Sequence, residues 1–397
     1  MLGFIVNCGS SSIKVRLIDT FTKESLFEAK AEHLGTYSSK ITSKIDCFSC
    51  DLTPEDACQI SHDGALDLIL RNLESRKIIS DLKDISFVGH RIVHGGTFFS
   101  KPTVITEEVI EKITLCNNLA PLHNPVGILG IRCCQKLFPN AIQIAVFDTA
   151  FHQTIPEINF KYAIPNRFYK SGIRKYGFHG TSYSYSTRVL LDTIKDEEDL
   201  SSIIAHIGQG TSVCAIKKGK SVYTSMEFSP LSGCVMGTRS GTIDPAIIQY
   251  MCNSFNYSLD QVMNILNKES GLRSLADTCN MIEILNGVEE KDPTCIFALV
   301  YFCNSIAENI AKAIISLGEK PKQIVFTGGI GENSYLVREL ILKKISCIVD
   351  EFSLNYQKNL KNNFLITDST SKLSVYVIKA NEELEIALEA ANLISQH

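Results

Sequence analysis

The sequence predicts an α/β protein made of two related halves, and three observations carry that prediction. Apolar runs of strand length alternate with stretches of helical periodicity. At 397 residues the chain exceeds the usual reach of one hydrophobic core. A strand–turn–strand pattern at Phe4 to Ile18, FIVNCGSSSIKVRLI, returns about half the chain later at Ile203 to Ile216 as IIAHIGQGTSVCAI. Val6-Asn7-Cys8-Gly9 aligns there with Ala205-His206-Ile207-Gly208.

The first hairpin has a polar tip. Consecutive small residues let main-chain N–H groups converge on an anion, and the hydroxyls of Ser10 and Ser12 and the amide of Asn7 add partners. Gly-Ser turns also join strands with no ligand at all, but the repetition favours two phosphate-binding tips. Weak alternation from Ser25 to Cys50 predicts further antiparallel strands, and Pro54 to Ser75 reads as a helix with Ala65, Leu66, Leu68 and Ile69 on one face. The strand Ile85 to Val93 carries Arg91 near its end, before His94-Gly95-Gly96. A guanidinium is costly to bury without a partner, so Arg91 is a site candidate, with a surface ion pair as the alternative.

A helix from Glu107 to Leu119 leads to Ala120-Pro121-Leu122-His123-Asn124-Pro125, where two prolines stiffen a turn around a histidine and an amide. Another helix runs to Leu137, and the strand Ala141 to Phe147 ends at Asp148. A carboxylate just past the carboxyl end of a buried strand sits where α/β proteins gather ligand contacts; capping the next helix is the alternative. The domain boundary falls near Phe147 to Pro156, giving domains 1–150 and 151–380, with the last helix, 381–397, packing back on the first.

The loop Ile173 to Ser182, IRKYGFHGTS, holds His179, and Thr181 or Ser182 is expected to cap the helix that follows toward Leu191. After the second hairpin, Arg239 lies in a Gly-rich loop before a helix started by Asp244-Pro245. Helices follow at Leu259 to Asn267 and at Pro293 to Leu317. Phe297, Val300, Tyr301, Ile306, Ile310 and Ile314 keep helical spacing in the second and are expected in the core. The strand Ile324 to Phe326 opens into Thr327-Gly328-Gly329-Ile330-Gly331-Glu332-Asn333 at a helix start, which suits a nucleotide phosphate or ribose. A last strand, Leu373 to Ile378, precedes the helix Asn381 to Ser395. Glu382 and Glu383 in its first turn serve the helix dipole, and a metal role for Glu382 needs support from elsewhere.

A net charge of −4 gives no reason to expect nucleic-acid binding, so any anion site is local. The amino terminus lacks a signal-peptide pattern, and no apolar run approaches the roughly 18 residues of a bilayer span. The expectation is a cytoplasmic protein with no membrane partner. The 14 cysteines are scattered and many sit in apolar stretches, which predicts reduced core thiols. Cys47, Cys50, Cys58 and His62 have a spacing that zinc can use, but a second such pair is missing.

Taken together, VNCGSSSIK, GHRIVHGG, LAPLHNP, FDTAFHQT, KYGFHGTS, MGTRSGTIDP, FTGGIGEN and NEEL resemble, in order, the motifs of the acetate kinase family, within the superfamily of acetate and sugar kinases, chaperone ATPases and actin. The resemblance implies two duplicated ribonuclease H-like (actin-like ATPase) domains with an interdomain active-site cleft, usually in a homodimer. It implies direct, reversible transfer of the ATP γ-phosphoryl group to acetate, giving acetyl phosphate and ADP, with Mg²⁺ (Mn²⁺ as a substitute). A propionate or other short-chain carboxylate kinase is the near alternative, and an actin- or chaperone-like ATPase the remote one. By resemblance Asn7 and Ser10 line the cleft, with Ser12 and Lys14 close by. Arg91 and Arg239 grip the carboxylate and the phosphoryl group, and His123 and His179 stabilise that group in transfer. Asp148 and Glu382 organise the metal, with Asn7 a further ligand candidate. His206, Gly208, Gln209 and Gly210 approach the ATP phosphates, and Gly329, Ile330, Gly331 and Asn333 the adenosine side. Val93, Leu122, Phe178 and Pro230 correspond to the pocket for the acetate methyl. The chain departs from the family pattern at Thr97, Tyr183, Gln209, Glu227 and Ser232; Tyr183 stands where histidine is common, and Gln209 where asparagine is usual.

Overall fold

The computed structural model describes residues 1–43, 49–50, 60–79 and 81–396. They form two compact units, Met1–Phe151 with Asn381–His397, and His152–Ala380. The first unit holds strands β1 (Leu2–Gly9), β2 (Ser12–Asp19), β3 (Glu24–Glu32), β4 (Lys40–Ser43), β5 (Ser49–Cys50), β6 (Ile85–Ile92), β7 (Thr103–Val104) and β8 (Ile142–Phe147). Their order in the sheet is β5-β4-β3-β2-β1-β6-β8-β7. β1 to β5 are antiparallel, whereas β6 lies parallel to β1 and β8 parallel to β6. The second unit holds β9 (Ser201–Ile207), β10 (Thr211–Lys217), β11 (Lys220–Thr224), β12 (Gln323–Thr327) and β13 (Ser374–Val377), in the order β11-β10-β9-β12-β13. Stripped of its edge strands, the first sheet runs β3-β2-β1-β6-β8 and repeats the second strand for strand. The hairpin repeat in the sequence is the start of this duplicated sheet.

Alternation sorts the two faces of each hairpin. Phe4, Val6, Ile13, Val15 and Leu17 point into one core with Leu66, Ile69 and Leu73 of the helix His62–Ser75. On the opposite face a Cβ at Gly89 would strike Ile5 and Ile386, so the helix Glu382–Ser395 packs close on the middle of this sheet. The second core forms around Ile203, Ala205, Phe302, Ile306, Ile310 and Phe326.

Several element ends differ from expectation, each for a local reason. The first helix starts at His62, because the Ser61 hydroxyl accepts from the Gly64 N–H and Ile60 is already non-helical; residues 54–59 lie outside the described residues. The helix Gly180–Ile194 is entered through His179 in the left-handed conformation, with φ 58°, so Thr181 and Ser182 lie buried inside it and cap nothing. The helix Pro293–Leu317 matches its expected ends: Asp292 caps it, proline opens it, and Gly318 with φ 78° closes it. Its stripe is another matter. Ile306 and Ile310 are buried, but Phe297 is 57% exposed and Val300 and Tyr301 are also exposed, while Ala298, Leu299, Phe302 and Cys303 take the core side. By length and composition this helix is apolar enough to cross a membrane, contrary to the sequence expectation. Its Phe302–Ile306–Ile310 face belongs to the core of the second unit, as in a core helix of a globular fold.

Candidate active site

In the first unit, polar side chains gather at the carboxyl ends of β1, β6 and β8. Parallel pairing sets Arg91 beside Val146, and the Asp148 N–H donates to the Ile92 carbonyl at 3.0 Å, which carries the ladder one residue past β8. Arg91 and Asp148 therefore meet fork to fork: Nε donates to Oδ1 at 3.0 Å and Nη2 to Oδ2 at 2.7 Å. Arg91 Nη1 also lies 3.9 Å from a Glu382 carboxylate oxygen. The ion pair weighed from the sequence exists, but it is mostly buried. Burial disfavours the Arg91 cation, yet Asp148, Glu382 and Glu383 outweigh it and hold its pKa up. The Glu382 pKa is raised as well, which for an acid favours the neutral form. Burial raises its carboxyl pKa, Arg91 lowers it, and Asp148 and Glu383 raise it further.

On the same face, Asn7 stands opposite Lys14 in the hairpin register. Lys14 pairs with Glu383 at 2.6 Å, and Arg16 holds Glu28 at 2.9 Å and the Asn381 side chain at 2.8 Å. These contacts fix the first turn of the last helix over the hairpin. Ser10 is exposed in a two-residue turn, and the Ser12 hydroxyl lies where a Cβ on Gly9 would sit. Val93 follows Arg91 by two residues, half-buried. Asn124 ties the next turn to it, accepting from the His94 N–H at 3.1 Å and donating to the His94 carbonyl at 2.9 Å. That brings Leu122, 63% exposed, and His123 beside the end of β6.

The second unit gathers its groups around the turn Gly208-Gln209-Gly210. His179 Nδ1 lies 2.9 Å from the Ser212 hydroxyl, and its ring stacks on that of His206 at 4.2 Å. His206 Nδ1 meets the Ser182 hydroxyl at 2.8 Å. A Cβ on Gly210 would come within 3.3 Å of His179 Nε2 and 3.7 Å of Arg239 Nη1; one on Gly208 would sit 3.7 Å from His206 Nε2 and 4.0 Å from the Gly329 N–H. The two glycines thus keep clear the space that two histidines, an arginine and a main-chain donor face. Arg239 donates to the Pro230 carbonyl at 3.3 Å and has no acidic partner among the described residues, so burial lowers its pKa.

Other candidates lie apart from that space. The Gln209 side chain turns toward Gly237 and donates to the Cys279 carbonyl at 3.4 Å. Gly331 packs on Ile207, Phe178 is buried with its carbonyl 2.9 Å from His152 Nε2, and the Asn333 amide donates to the Gly329 carbonyl at 2.8 Å. Ile330 is half-buried against the second core.

The sequence of this chain matches the model of the acetokinase family over residues 2–388. The chain belongs to the acetokinase family. It is 39% identical to an acetate kinase of Clostridium botulinum over 98% of this chain and 99% of that one. Among solved structures, a propionate kinase from Francisella tularensis superposes with a TM-score of 0.91 at 39% identity, covering 98% of both chains. An acetate kinase from Porphyromonas gingivalis also gives 0.91, at 32% identity and 99% of both. Members of this acetokinase family are carboxyl-group phosphotransferases, and the two sheets agree with a pair of actin-like ATPase domains.

Sequence reasoning missed four supports of this site. His62, weighed as a zinc ligand, places Nε2 2.9 Å from the Gly9 carbonyl and so steadies the first hairpin. Cys47 and Cys58 lie outside the described residues, and no His/Cys/Asp/Glu metal cluster occurs among the described ones. Arg338 is fully buried with no acidic partner among the described residues and donates to the carbonyls of Gly331 and Glu332, at 2.8 and 2.9 Å, holding the carboxyl end of the Gly328–Asn333 turn. Glu383 clamps Lys14 and Arg16. Ser212 stands between His179 and Tyr183. Only the last carried a sequence signal, the tyrosine in a histidine position. The expectation of reduced thiols agrees with the free cysteines at the described positions, where burial pushes Cys8 and Cys214 up to about 12.

Proposed function

We propose that the protein transfers the γ-phosphoryl group of ATP reversibly and directly to acetate, forming acetyl phosphate and ADP. The observation that carries this reading is the fork between Arg91 and Asp148. A sugar kinase needs a carboxylate to take the proton of an alcohol. Here both oxygens of the carboxylate at the strand end hold a guanidinium, and acetate, with a pKa of about 4, arrives already ionised and needs no base. What it needs is charge neutralisation, and Arg91, Arg239, His123 and His179 are the groups proposed to supply it.

Mg²⁺ fits the residues present. Asp148 lies close enough to Glu382 to raise its carboxyl pKa, both are hard oxygen donors, and Asn7, near the carboxyl end of β1, offers a further oxygen on the same face of the sheet. Glu382 and Asn7 would hold the ion directly and Asp148 through water, the ion supplying countercharge to the phosphate oxygens. His206 with Gly208 and Gly210 would receive the ATP phosphates, and Gly329, Ile330 and Asn333 the nucleoside. Val93, Leu122, Phe178 and Pro230 would close on the acetate methyl. The exposed Phe297, Val300 and Tyr301 give a second copy of the chain an apolar face, supporting a homodimer; a monomer in sedimentation equilibrium would contradict that. A cytoplasmic location fits soluble substrates of this kind.

A propionate kinase is the second reading, favoured by the similarity to the Francisella protein of that name. One methylene is worth only about 1–3 kcal/mol of discrimination. Formation of acyl hydroxamate from ATP, hydroxylamine and either acid tests both readings at once. Acetate is expected to give the higher kcat/KM; a preference for propionate selects the second reading. ATP hydrolysis with no hydroxamate from either acid overturns both.

A further inference from the structure

Tyr183 is fully buried, and its hydroxyl makes a short hydrogen bond to the Ser212 hydroxyl, which in turn meets His179 Nδ1 at 2.9 Å. A serine has one proton for two neighbours, so this chain of bonds runs in one of two directions. Burial raises the Tyr183 phenol pKa well above its ordinary value, so the hydroxyl keeps its proton and needs an acceptor for it. If Ser212 donated to Tyr183, the phenolic proton would be left without an acceptor among the described residues. An unmet buried donor costs about 1–3 kcal/mol. The satisfied arrangement has Tyr183 donating to Ser212 and Ser212 donating to Nδ1 of His179. Nδ1 is then an acceptor, and the ring proton of the neutral imidazole sits on Nε2, the nitrogen beside Gly210 and Arg239 Nη1.

We infer that Tyr183, acting through Ser212, is a positioning residue that fixes His179 in the Nε2–H tautomer and so presents a donor to the phosphoryl group in transfer. The histidine is further held by its left-handed backbone and by the His206 ring stacked on it. Main-chain strain, ring stacking and the hydroxyl relay each restrict a different freedom: position, tilt and proton location. The tautomer assignment stands on hydrogen-bond satisfaction alone, whereas the role given to the donor rests on the phosphotransfer reading above.

The test uses the full-length protein with ¹⁵N-labelled histidine. Two-bond ¹H–¹⁵N spectra at neutral pH, with His179 assigned by the signals lost in His179→Gln, report which ring nitrogen carries the proton. The expected wild-type result is a protonated Nε2 and a bare Nδ1 at His179; a proton on Nδ1 overturns the inference, whatever the enzyme's substrate. In Tyr183→Phe, Ser212 loses its donor and becomes free to accept, so the Nδ1–H form should appear. In parallel kcat should fall about tenfold, with the KM values for acetate and ATP within twofold. Tyr183→His offers an N–H donor at the same position and should recover most of the loss. An unaltered tautomer and rate in Tyr183→Phe would sink the proposal. Absence of hydroxamate formation by the wild-type protein would instead remove the phosphotransfer reading and leave the tautomer measurement standing.

Discussion

β1–β2 and β9–β10 occupy the same place in their sheets, yet the side chains beside the two turns meet opposite surroundings. In the first unit the cations are answered: Arg91 by Asp148 and Glu382, Lys14 and Arg16 by Glu383. In the second, Arg239 is half-buried with a carbonyl and a methionine sulfur for company, and the neighbouring polar groups are imidazoles and hydroxyls. The strand frame is the same in both units, but the strand ends differ: those of the first place acids beside their cations, and those around Gly208-Gln209-Gly210 do not. On the proposed function, the acid-lined strand ends would take the divalent cation and the other turn the phosphates. The lesson is that a half-buried cation with no acid beside it is open to an incoming anion, whereas a compensated one of the same type also serves the fold.

Removing each arginine should separate the two roles. Arg239→Ala is expected to lower kcat by about 10³-fold or more, as losses of transition-state cations do. Its thermal midpoint should stay the same or rise, because a partly desolvated cation with no acid beside it among the described residues is removed. Arg91→Ala should lower kcat somewhat less, by about 10²–10³-fold. It should also lose stability of about 3 kcal/mol, since Asp148 and Glu382 are left facing each other. Calorimetry on both variants decides the matter. If they melt alike, the contrast between the halves is wrong.

Glu382 tests the acidic side of the contrast. Its raised pKa means that it holds a proton at higher pH than an ordinary carboxyl, so Mg²⁺ affinity should begin to weaken at a correspondingly higher pH as the solution is acidified. Glu382→Gln should weaken Mg²⁺ activation by about tenfold and flatten that pH dependence. The native state pays for the ionised form at neutral pH, so the variant should be no less stable. A pH dependence that survives the substitution would assign it to another group.

Much of this frame was legible in the sequence because it rests on periodicity and repetition. The duplicated hairpin, the strand carrying Arg91 and the helix capped by Asp292 follow from local rules that tertiary packing did not overturn. Phe297 and Tyr301 were misread because helical spacing says that a face is apolar, not which side of the helix the sheet takes; Ala298 and Phe302 hold the core side. Thr181 and Ser182 look like caps, but the left-handed turn at His179 swallowed them into the helix. Arg338 was invisible because its partners are main-chain carbonyls and two asparagines, which leave no charge pattern along the chain. The charge contrast between Arg91 and Arg239 was hidden for a related reason. Both are arginines followed within a few residues by glycine, and only folding reveals which of them meets an acid.

The smallest effect concerns Gln209, in the turn Gly208-Gln209-Gly210 that the proposed function assigns to the ATP phosphates. From sequence, its extra methylene looks like a displaced phosphate donor. In the structure its amide is already engaged, donating to the Cys279 carbonyl, and its oxygen fills the space left by the missing side chain of Gly237. Asparagine is one methylene shorter and would not reach Cys279, so its amide would return to the turn between Gly208 and Gly210. Gln209→Asn should therefore raise kcat by about threefold to tenfold and lower the KM for ATP, because placement errors of an ångström are felt in transfer. Steady-state kinetics with ATP varied would show it. If kcat and KM both stay where they are, the turn draws its phosphate donors from the main chain and His206, and the side chain at this position is idle.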